Sequence, residues 1–337
     1  RSIASCGQNA IAPGPPGFAR GHRTLLRRVD RRRHVGSARF YARAACLLAS
    51  LVGAQAHANV YQDRFTAEAA AMQARKSGPG AAAPLAALLR MDGMLESGAL
   101  AGALRAFLDP AHGPVDPLVA AQAAYFLSLE EDRAGQHQQA AARRQGLGLT
   151  TDLWVLGAFD GQGRGTLEQA FPVERDLNNP LASSCYRDRT QEVCWRRALP
   201  ELAPQGALSL GGFLRPDHDA VAYAVAYVHS DQPRWATLRL GSPGPIRAWL
   251  NRRQVLSRDV VRTAGLDQDA AVVWLPAGTS TLVLKTVVVS GAWNLFLRFT
   301  QPDGTACLGV QVDFEAPRSR NDGGTPPPRA PAKRELA

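Results

Sequence analysis

The sequence lacks the short motifs that would place it in an enzyme or cofactor class. It contains no C-x-x-C or H-E-x-x-H pair, and its seven histidines are scattered, which argues against a metal site. It also has no G-x-S-x-G nucleophile elbow, no G-x-G-x-x-G leading into a helix and no Walker-type loop. We therefore predict no catalytic residues, no cofactor and no metal ligands, and we favour a non-enzymatic role.

Acidic residues are almost absent from the first 58 positions, which hold ten arginines and a single acid, Asp30. The rest of the chain carries 29 basic and 28 acidic residues, so the formal net charge of +10 belongs almost wholly to this N-terminal part. A surface that binds phosphates needs positive charge in the folded part of the protein. The charge distribution therefore predicts no nucleic-acid partner.

A long apolar run is also missing, because the best candidate, 44–54, is shorter than the roughly 20 residues of a membrane-spanning helix. This run follows an arginine-rich segment and precedes Ala56-His57-Ala58, a small-x-small cleavage pattern. We predict that 1–58 is an upstream extension with a signal peptide, cleaved after Ala58. The product is then periplasmic or secreted, with no permanent membrane span. A buried core helix is the alternative interpretation of the run.

Cysteine is scarce, and only three of the five cysteines lie beyond the predicted leader. In an oxidising compartment Cys185 and Cys194 could close a short loop with a disulfide bond. Two unpaired thiols are the alternative. We expect Cys307 to be a buried strand residue.

Helical periodicity dominates 59–146. Leu100, Leu104 and Phe107 fall on one helix face, and Asp116-Pro117 is a helix start with an aspartate N-cap and proline at the first position. We predict a module of antiparallel helical hairpins.

One of these hairpins, 118–145, resembles a tetratricopeptide unit in the spacing of its small residues Ser128, Gly135 and Ala140. A plain pair of alanine-rich helices is the alternative. Either interpretation indicates a packing or docking surface, because stacked helix pairs present grooves.

The pattern changes to β-structure in the second half. We predict an irregular connecting segment over 147–220 with a strand at 153–160, a β-sandwich core over 221–315 and a disordered tail over 316–337. The fold class is thus α+β and multi-domain, with antiparallel helical hairpins followed by an antiparallel β-sandwich. We expect most of four tryptophans, one per strand, to fill the core between the sheets: Trp235, Trp249, Trp274 and Trp293.

Two stretches together resemble a segment of large bacterial exported proteins. LWVLGAFDGQGRG followed by FPVERD is similar to their W-x-x-x-G-P-F-D-N-x-x-G and F-P-P-E motifs, and 234–299 is similar to the sandwich that follows, a jelly-roll of the galactose-binding-like or glycosidase-accessory type. Departures from the pattern are Ala158 for proline, Arg252 for the hairpin glycine, and Thr279-Ser280 for Gly-Asn.

The resemblance implies an interaction or carbohydrate-binding scaffold whose partner is a protein or polysaccharide of the cell envelope. Because such proteins often continue into a transglutaminase-like domain, the alternative is the non-catalytic front end of a transglutaminase-like peptidase or glycosidase. A purely structural assembly protein that uses the helical hairpin is a third class. The sequence defines neither a ligand nor an oligomeric state.

One ligand-binding patch can be proposed from the sequence. In sugar-binding sandwiches, loop carboxylates accept hydrogen bonds from hydroxyl groups while an aromatic ring stacks on the sugar. Asp267 and Asp269 precede a predicted strand, and Trp249 and Asn251 lie on the neighbouring hairpin. The alternative is that Asp267 caps a turn and Trp249 belongs to the core.

Overall fold

The computed structural model describes residues 60–94, 96, 98–161, 166–177, 179–188 and 191–315. The predicted leader and its cleavage site, most of the GQGRG stretch and the predicted tail lie outside the described residues. The described residues belong to one compact unit. No helix among the described residues has both the length and the apolar character needed to cross a membrane.

Five α-helices form the N-terminal part of this unit, and the first four of them pack around their own apolar core. Asp116 caps the fourth helix as predicted, because its carboxylate accepts hydrogen bonds from the backbone N–H groups of Leu118 and Val119 at 2.9 and 3.3 Å. The helices are α1 (60–74), α2 (Ala82–Leu89), α3 (Ala99–Leu108), α4 (Pro117–Arg133) and α5 (His137–Gly146).

The hairpin of α4 and α5 turns at Gly135, whose φ of +75° is a left-handed conformation that glycine adopts without strain. Ser128 and Ala140 are fully buried where the two helices meet. Arg143 donates two hydrogen bonds to the buried carboxylate of Glu131, at 3.0 and 2.8 Å. These contacts hold the helices together as an antiparallel pair; the tetratricopeptide assignment stays a prediction.

Twelve strands form two antiparallel sheets in the described part of the chain, which confirms the α+β class. The large sheet has the order β2-β3-β1-β5-β10-β7-β8, with β12 also paired to β5, and the small sheet has the order β4-β11-β6-β9. The strands are β1 (Trp154–Asp160), β2 (Cys185–Arg187), β3 (Glu192–Arg197), β4 (Leu208–Ser209), β5 (Ala220–Ser230), β6 (Arg234–Gly241), β7 (Ile246–Leu250), β8 (Arg253–Arg258), β9 (Asp269–Leu275), β10 (Gly278–Val288), β11 (Asn294–Thr300) and β12 (Val310–Asp313).

The main core lies between the two sheets, and β5 shows how the sequence builds it. Successive side chains of a strand point to opposite faces. Alanines at 222, 224 and 226 face the small sheet, and the space beside them is filled by leucines of β6 and β11 in that sheet and of the neighbouring strand β10. Val221, Tyr223 and Val225 point the other way, into a second apolar cluster on the outer face of the large sheet. Both faces of β5 are therefore buried.

Each outer face has its own cover. Residues 166–177, which we call the cover segment, place Leu167, Phe171 and Val173 on the large sheet. The helical part covers one end of the small sheet, where the rings of Tyr125 and Phe296 meet edge to face at 5.5 Å. The order of layers is cover segment, large sheet, small sheet, helices.

Two expectations about individual side chains are wrong. Of the four tryptophans only Trp293 lies in the core between the sheets. Trp249 packs in the outer cluster of the large sheet, while Trp235 and Trp274 are partly exposed on the outer face of the small sheet. Cys307 precedes β12 and is only partly buried. The alternation of residues along a strand predicts which side chains share a face, but it does not predict which face packs on the partner sheet.

The turn between β7 and β8 yields a first prediction. Asn251 and Arg252 both have positive φ, +47° and +71°, in a two-residue turn where glycine or asparagine normally lies. Because a left-handed arginine costs about 1–2 kcal/mol and glycine loses part of that gain to chain entropy, Arg252→Gly should raise the free energy of unfolding by about 0.5–1 kcal/mol. Urea unfolding measures the change.

The matched control is Arg253→Gly, the next residue, which is equally exposed but lies in β8. Glycine within a strand should lower the free energy of unfolding by about 0.5–1 kcal/mol. Two variants that are both destabilised would contradict the assigned turn.

Tyr125 yields a second prediction, because burial raises the pKa of its hydroxyl group to about 12. The folded chain holds this proton above pH 10, whereas the unfolded chain releases it, so the stability contributed by the neutral ring is lost as the pH rises from about 10 to about 12. Between about pH 9 and about pH 11.5 the wild type should lose about 2 kcal/mol more of its free energy of unfolding than Tyr125→Phe. Equal losses in urea unfolding would show that Tyr125 does not titrate late.

Candidate functional site

The four residues of the sequence-based patch lie on two different sheets. Trp249 is on the large sheet, only 7% exposed, in the outer cluster. Asn251 binds its own hairpin to β10, because its side-chain oxygen accepts from the Thr281 N–H at 2.9 Å and its amide donates to the Ser280 hydroxyl at 3.0 Å. Both side chains thus have structural contacts.

The two carboxylates are buried in ion pairs beside the small sheet. Asp267 accepts hydrogen bonds from Arg298 on both oxygens, the Nε bond being 2.8 Å long, and both side chains are 4% exposed. Asp269 pairs with Arg262 and lies 3.6 Å from Arg258. The four residues therefore do not form one open surface, and ligand binding by any of them stays a prediction.

Cys185 and Cys194 lie directly opposite each other on β2 and β3, and their sulfurs are bonded at 2.07 Å. With Glu192 they form a group whose ligand atoms are close enough together for a metal ion. Since a metal needs thiolates and these sulfurs are joined to each other, the oxidised group does not offer a metal site.

The outer face of the small sheet carries an aromatic surface that sequence analysis placed in the core. We define it by four residues that pair across β6 and β9: Trp235 lies opposite Trp274, and Thr237 lies opposite Val272. The two rings meet edge to face with centroids 5.3 Å apart and planes at 62°. Val272 is 44% exposed, and β9 is at the edge of its sheet.

Two polar atoms of the aromatic surface lack a hydrogen-bond partner among the described residues. They are the hydroxyl oxygen of Thr237 and the indole nitrogen of Trp274, and both are buried. A buried polar atom without a partner costs about 1–3 kcal/mol.

A second cluster of reactive groups lies under the cover segment. Lys285 is in the middle of β10, between Tyr223 of β5 and Arg247 of β7, and its side chain is fully buried. Its ammonium group donates to the backbone oxygens of Leu167, at 2.9 Å, and Gln169. It also donates to the carboxylate of Glu174 at 2.9 Å.

Two aromatic rings complete the surroundings of this lysine. The Lys285 nitrogen is 5.1 Å from the centre of the Phe171 ring and 5.8 Å from that of Tyr223. The hydroxyl group of Tyr223 donates to the same oxygen of Glu174 that accepts from Lys285. This environment resembles a closed cage around the ammonium group.

Burial shifts the titration of both groups that meet Glu174. Loss of water lowers the pKa of the Lys285 ammonium, although the Glu174 carboxylate opposes the shift. Burial and the neighbouring carboxylate raise the pKa of the Tyr223 hydroxyl, which therefore stays protonated. The sequence contained one signal for this cluster, a lone lysine inside the apolar strand TLVLKTVVV, which the sequence analysis did not use.

Similarity to known proteins is weak. No family model matches the sequence, and no curated protein matches it. Solved structures that resemble part of the chain include a β-glucosidase from Kluyveromyces marxianus, with a TM-score of 0.30, 9% identity, and coverage of 44% of this chain and 16% of that one. The PA14 domain of the antifreeze protein MpAFP has a TM-score of 0.23, 11% identity, and coverage of 30% of this chain and 55% of that one.

A family 35 carbohydrate-binding module from an environmental isolate is also similar in part. Its TM-score is 0.23 at 15% identity, and the match covers 28% of this chain and 72% of that one. These likenesses establish no specific function. The matched stretch spans less than two thirds of the β-glucosidase and of the PA14 chain.

The Lys285 cluster yields a third prediction. Glu174→Ala removes the only carboxylate that Lys285 contacts among the described residues, and leaves a buried charge without compensation. We expect the free energy of unfolding to fall by about 3–5 kcal/mol in urea unfolding. The matched control is Glu168→Ala in the same segment, whose carboxylate pairs with Arg247 but is 75% exposed, and which should change stability little. Equal effects of the two changes would contradict the buried pair.

Proposed function

We propose that this protein is an exported, non-enzymatic scaffold of the cell envelope that binds polysaccharide through the aromatic surface. The sandwich would be of the jelly-roll, galactose-binding-like type. The observation that carries the proposal is the pair of partly exposed tryptophans, Trp235 and Trp274, on a sheet face that the helices cover only at its other end.

The chemistry of this surface suits a sugar. Binding sites for small polar molecules combine aromatic faces with a few polar groups that fix orientation. The C–H groups of a sugar ring can pack on the indole rings, whose large area favours burial. The indole N–H of Trp274 and the hydroxyl group of Thr237 are closed off from solvent, so the proposed contact with the sugar is made by the exposed parts of the two indole rings and not by these atoms.

Export is supported by the disulfide bond between Cys185 and Cys194, because such bonds persist mainly in oxidising compartments. The proposed cleavage after Ala58 accounts for the concentration of arginine in the first 58 residues. The chain beyond residue 58 has a formal net charge close to zero, with 29 basic and 28 acidic residues. Such a protein fits a partner that is recognised by ring stacking and hydrogen bonds.

The proposal predicts that single tryptophan changes weaken glycan binding. The purified protein is tested for retention on peptidoglycan sacculi and on gels that contain soluble polysaccharides. Trp235→Ala and Trp274→Ala should each weaken binding at least tenfold, which corresponds to about 1.4 kcal/mol. Trp274→Phe keeps an aromatic face and should retain part of the affinity.

Two further variants test whether the glycan binds to the aromatic surface or to the sequence-based patch. Asn251→Ala and Asp267→Ala alter the sequence-based patch and should leave the affinity of the folded protein unchanged. Loss of binding in these two but not in the tryptophan variants would move the site to the sequence-based patch. No retention of the wild-type protein on any glycan would remove the proposed function.

A further inference from the structure

The cluster under the cover segment holds an amine and a carboxyl group in a position to react with each other. The nitrogen of Lys285 is 2.9 Å from Oε1 of Glu174, so the carboxyl carbon is one bond further on. Among the described residues, Glu174 is the only one whose carboxylate the Lys285 nitrogen contacts. We propose that Lys285 and Glu174 condense to an intramolecular amide, which fixes the cover segment to β10. This inference is independent of the proposed function.

The step is a condensation that needs no oxidant, reductant or additional reactant. The ammonium group of Lys285 loses two protons, and its nitrogen forms a bond to the carboxyl carbon of Glu174. Oxygen Oε2 of the carboxylate receives both protons and leaves as water. One N–H remains on the new amide and keeps a hydrogen bond to the backbone oxygen of Leu167 or Gln169.

The neighbouring groups favour each part of this step. The backbone oxygens of Leu167 and Gln169 hold two N–H groups of the lysine, so in the neutral amine the lone pair points towards Glu174. Tyr223 donates to Oε1, the oxygen on which negative charge develops when the nitrogen adds to the carbon. Fixed contact between the reacting groups replaces the encounter that makes condensation slow in solution.

Burial also favours the product. A buried ion pair carries the cost of removing two charges from water, and an amide carries neither charge. The lysine is fully buried, whereas 16% of the Glu174 side chain is exposed. The water that forms can therefore leave on the carboxyl side, while the amine stays closed off from solvent. Lowering of the Lys285 pKa by burial increases the share of neutral amine.

The test is mass spectrometry of the purified full chain after denaturation, reduction and alkylation. We expect a mass lower than that of the linear chain by one water molecule. Trypsin should fail to cleave after Lys285, and the digest should contain one branched peptide that joins 165–175 to 263–298. The denatured chain should also migrate faster in denaturing electrophoresis, because the bond closes a loop between residues 111 positions apart.

Variants assign the roles. Glu174→Ala should have the full linear mass, and Glu168→Ala, which alters the exposed neighbouring pair, should keep the loss of water. Glu174→Gln should lose ammonia instead of water. Tyr223→Phe keeps the ring but removes the hydrogen bond to Oε1, so a smaller fraction should be cross-linked. A fraction equal to that of the wild type would exclude a role for the Tyr223 hydroxyl.

One result overturns the proposal as a whole. If the folded wild-type protein, with its disulfide bond formed, has the full linear mass, and Lys285 is recovered at the end of an ordinary tryptic peptide, then Lys285 and Glu174 are an ion pair only. This measurement does not depend on whether any variant folds.

Discussion

The outer face of the large sheet is organised around one buried ammonium group. Lys285 lies in the middle of a central strand, and its charge cannot remain there without several hydrogen-bond acceptors. The cover segment supplies all of those that the structure describes, two backbone oxygens and Glu174. The side chains of Leu167, Phe171 and Val173 in the segment then pack on the same face. The lysine therefore requires the cover segment, and the cover segment makes a face that would otherwise be exposed into a second core.

The small sheet meets the same requirement with a different part of the chain. Arg298, on its outer face, is neutralised by Asp267 and also donates to the backbone oxygen of Leu147 at 3.1 Å, just after α5. Tyr125 of α4 closes the apolar side of this junction. The helices thus cover the end of the sheet where charge must be buried. They leave Trp235 and Trp274 partly exposed at the other end, so the place of the aromatic surface follows from where the buried arginine lies.

The buried charges of both sheets stabilise the fold and are not available to bind a ligand. Charged residues that looked like candidates for ligand contact, Asp267 and Asp269, are held in internal ion pairs. The four residues of the aromatic surface are uncharged, which suits a neutral glycan better than an anionic polymer. The proposed amide under the cover segment would add a covalent bond to the opposite side of the sandwich without altering this surface.

Local patterns determined much of the secondary structure. Apolar periodicity and the Asp116-Pro117 start predicted helices in the N-terminal part, the apolar run 153–160 predicted β1, and the strand patterns beyond 220 predicted a β-sandwich, because these signals depend only on neighbouring residues. The strands β2, β3 and β4 fall in 147–220, which was predicted to be irregular apart from β1. Which face of each strand meets another layer was decided by tertiary packing alone. For that reason the sequence could not show that Trp249 is buried, that Trp274 is partly exposed, or that Glu174 and Lys285, 111 positions apart, share one hydrogen bond.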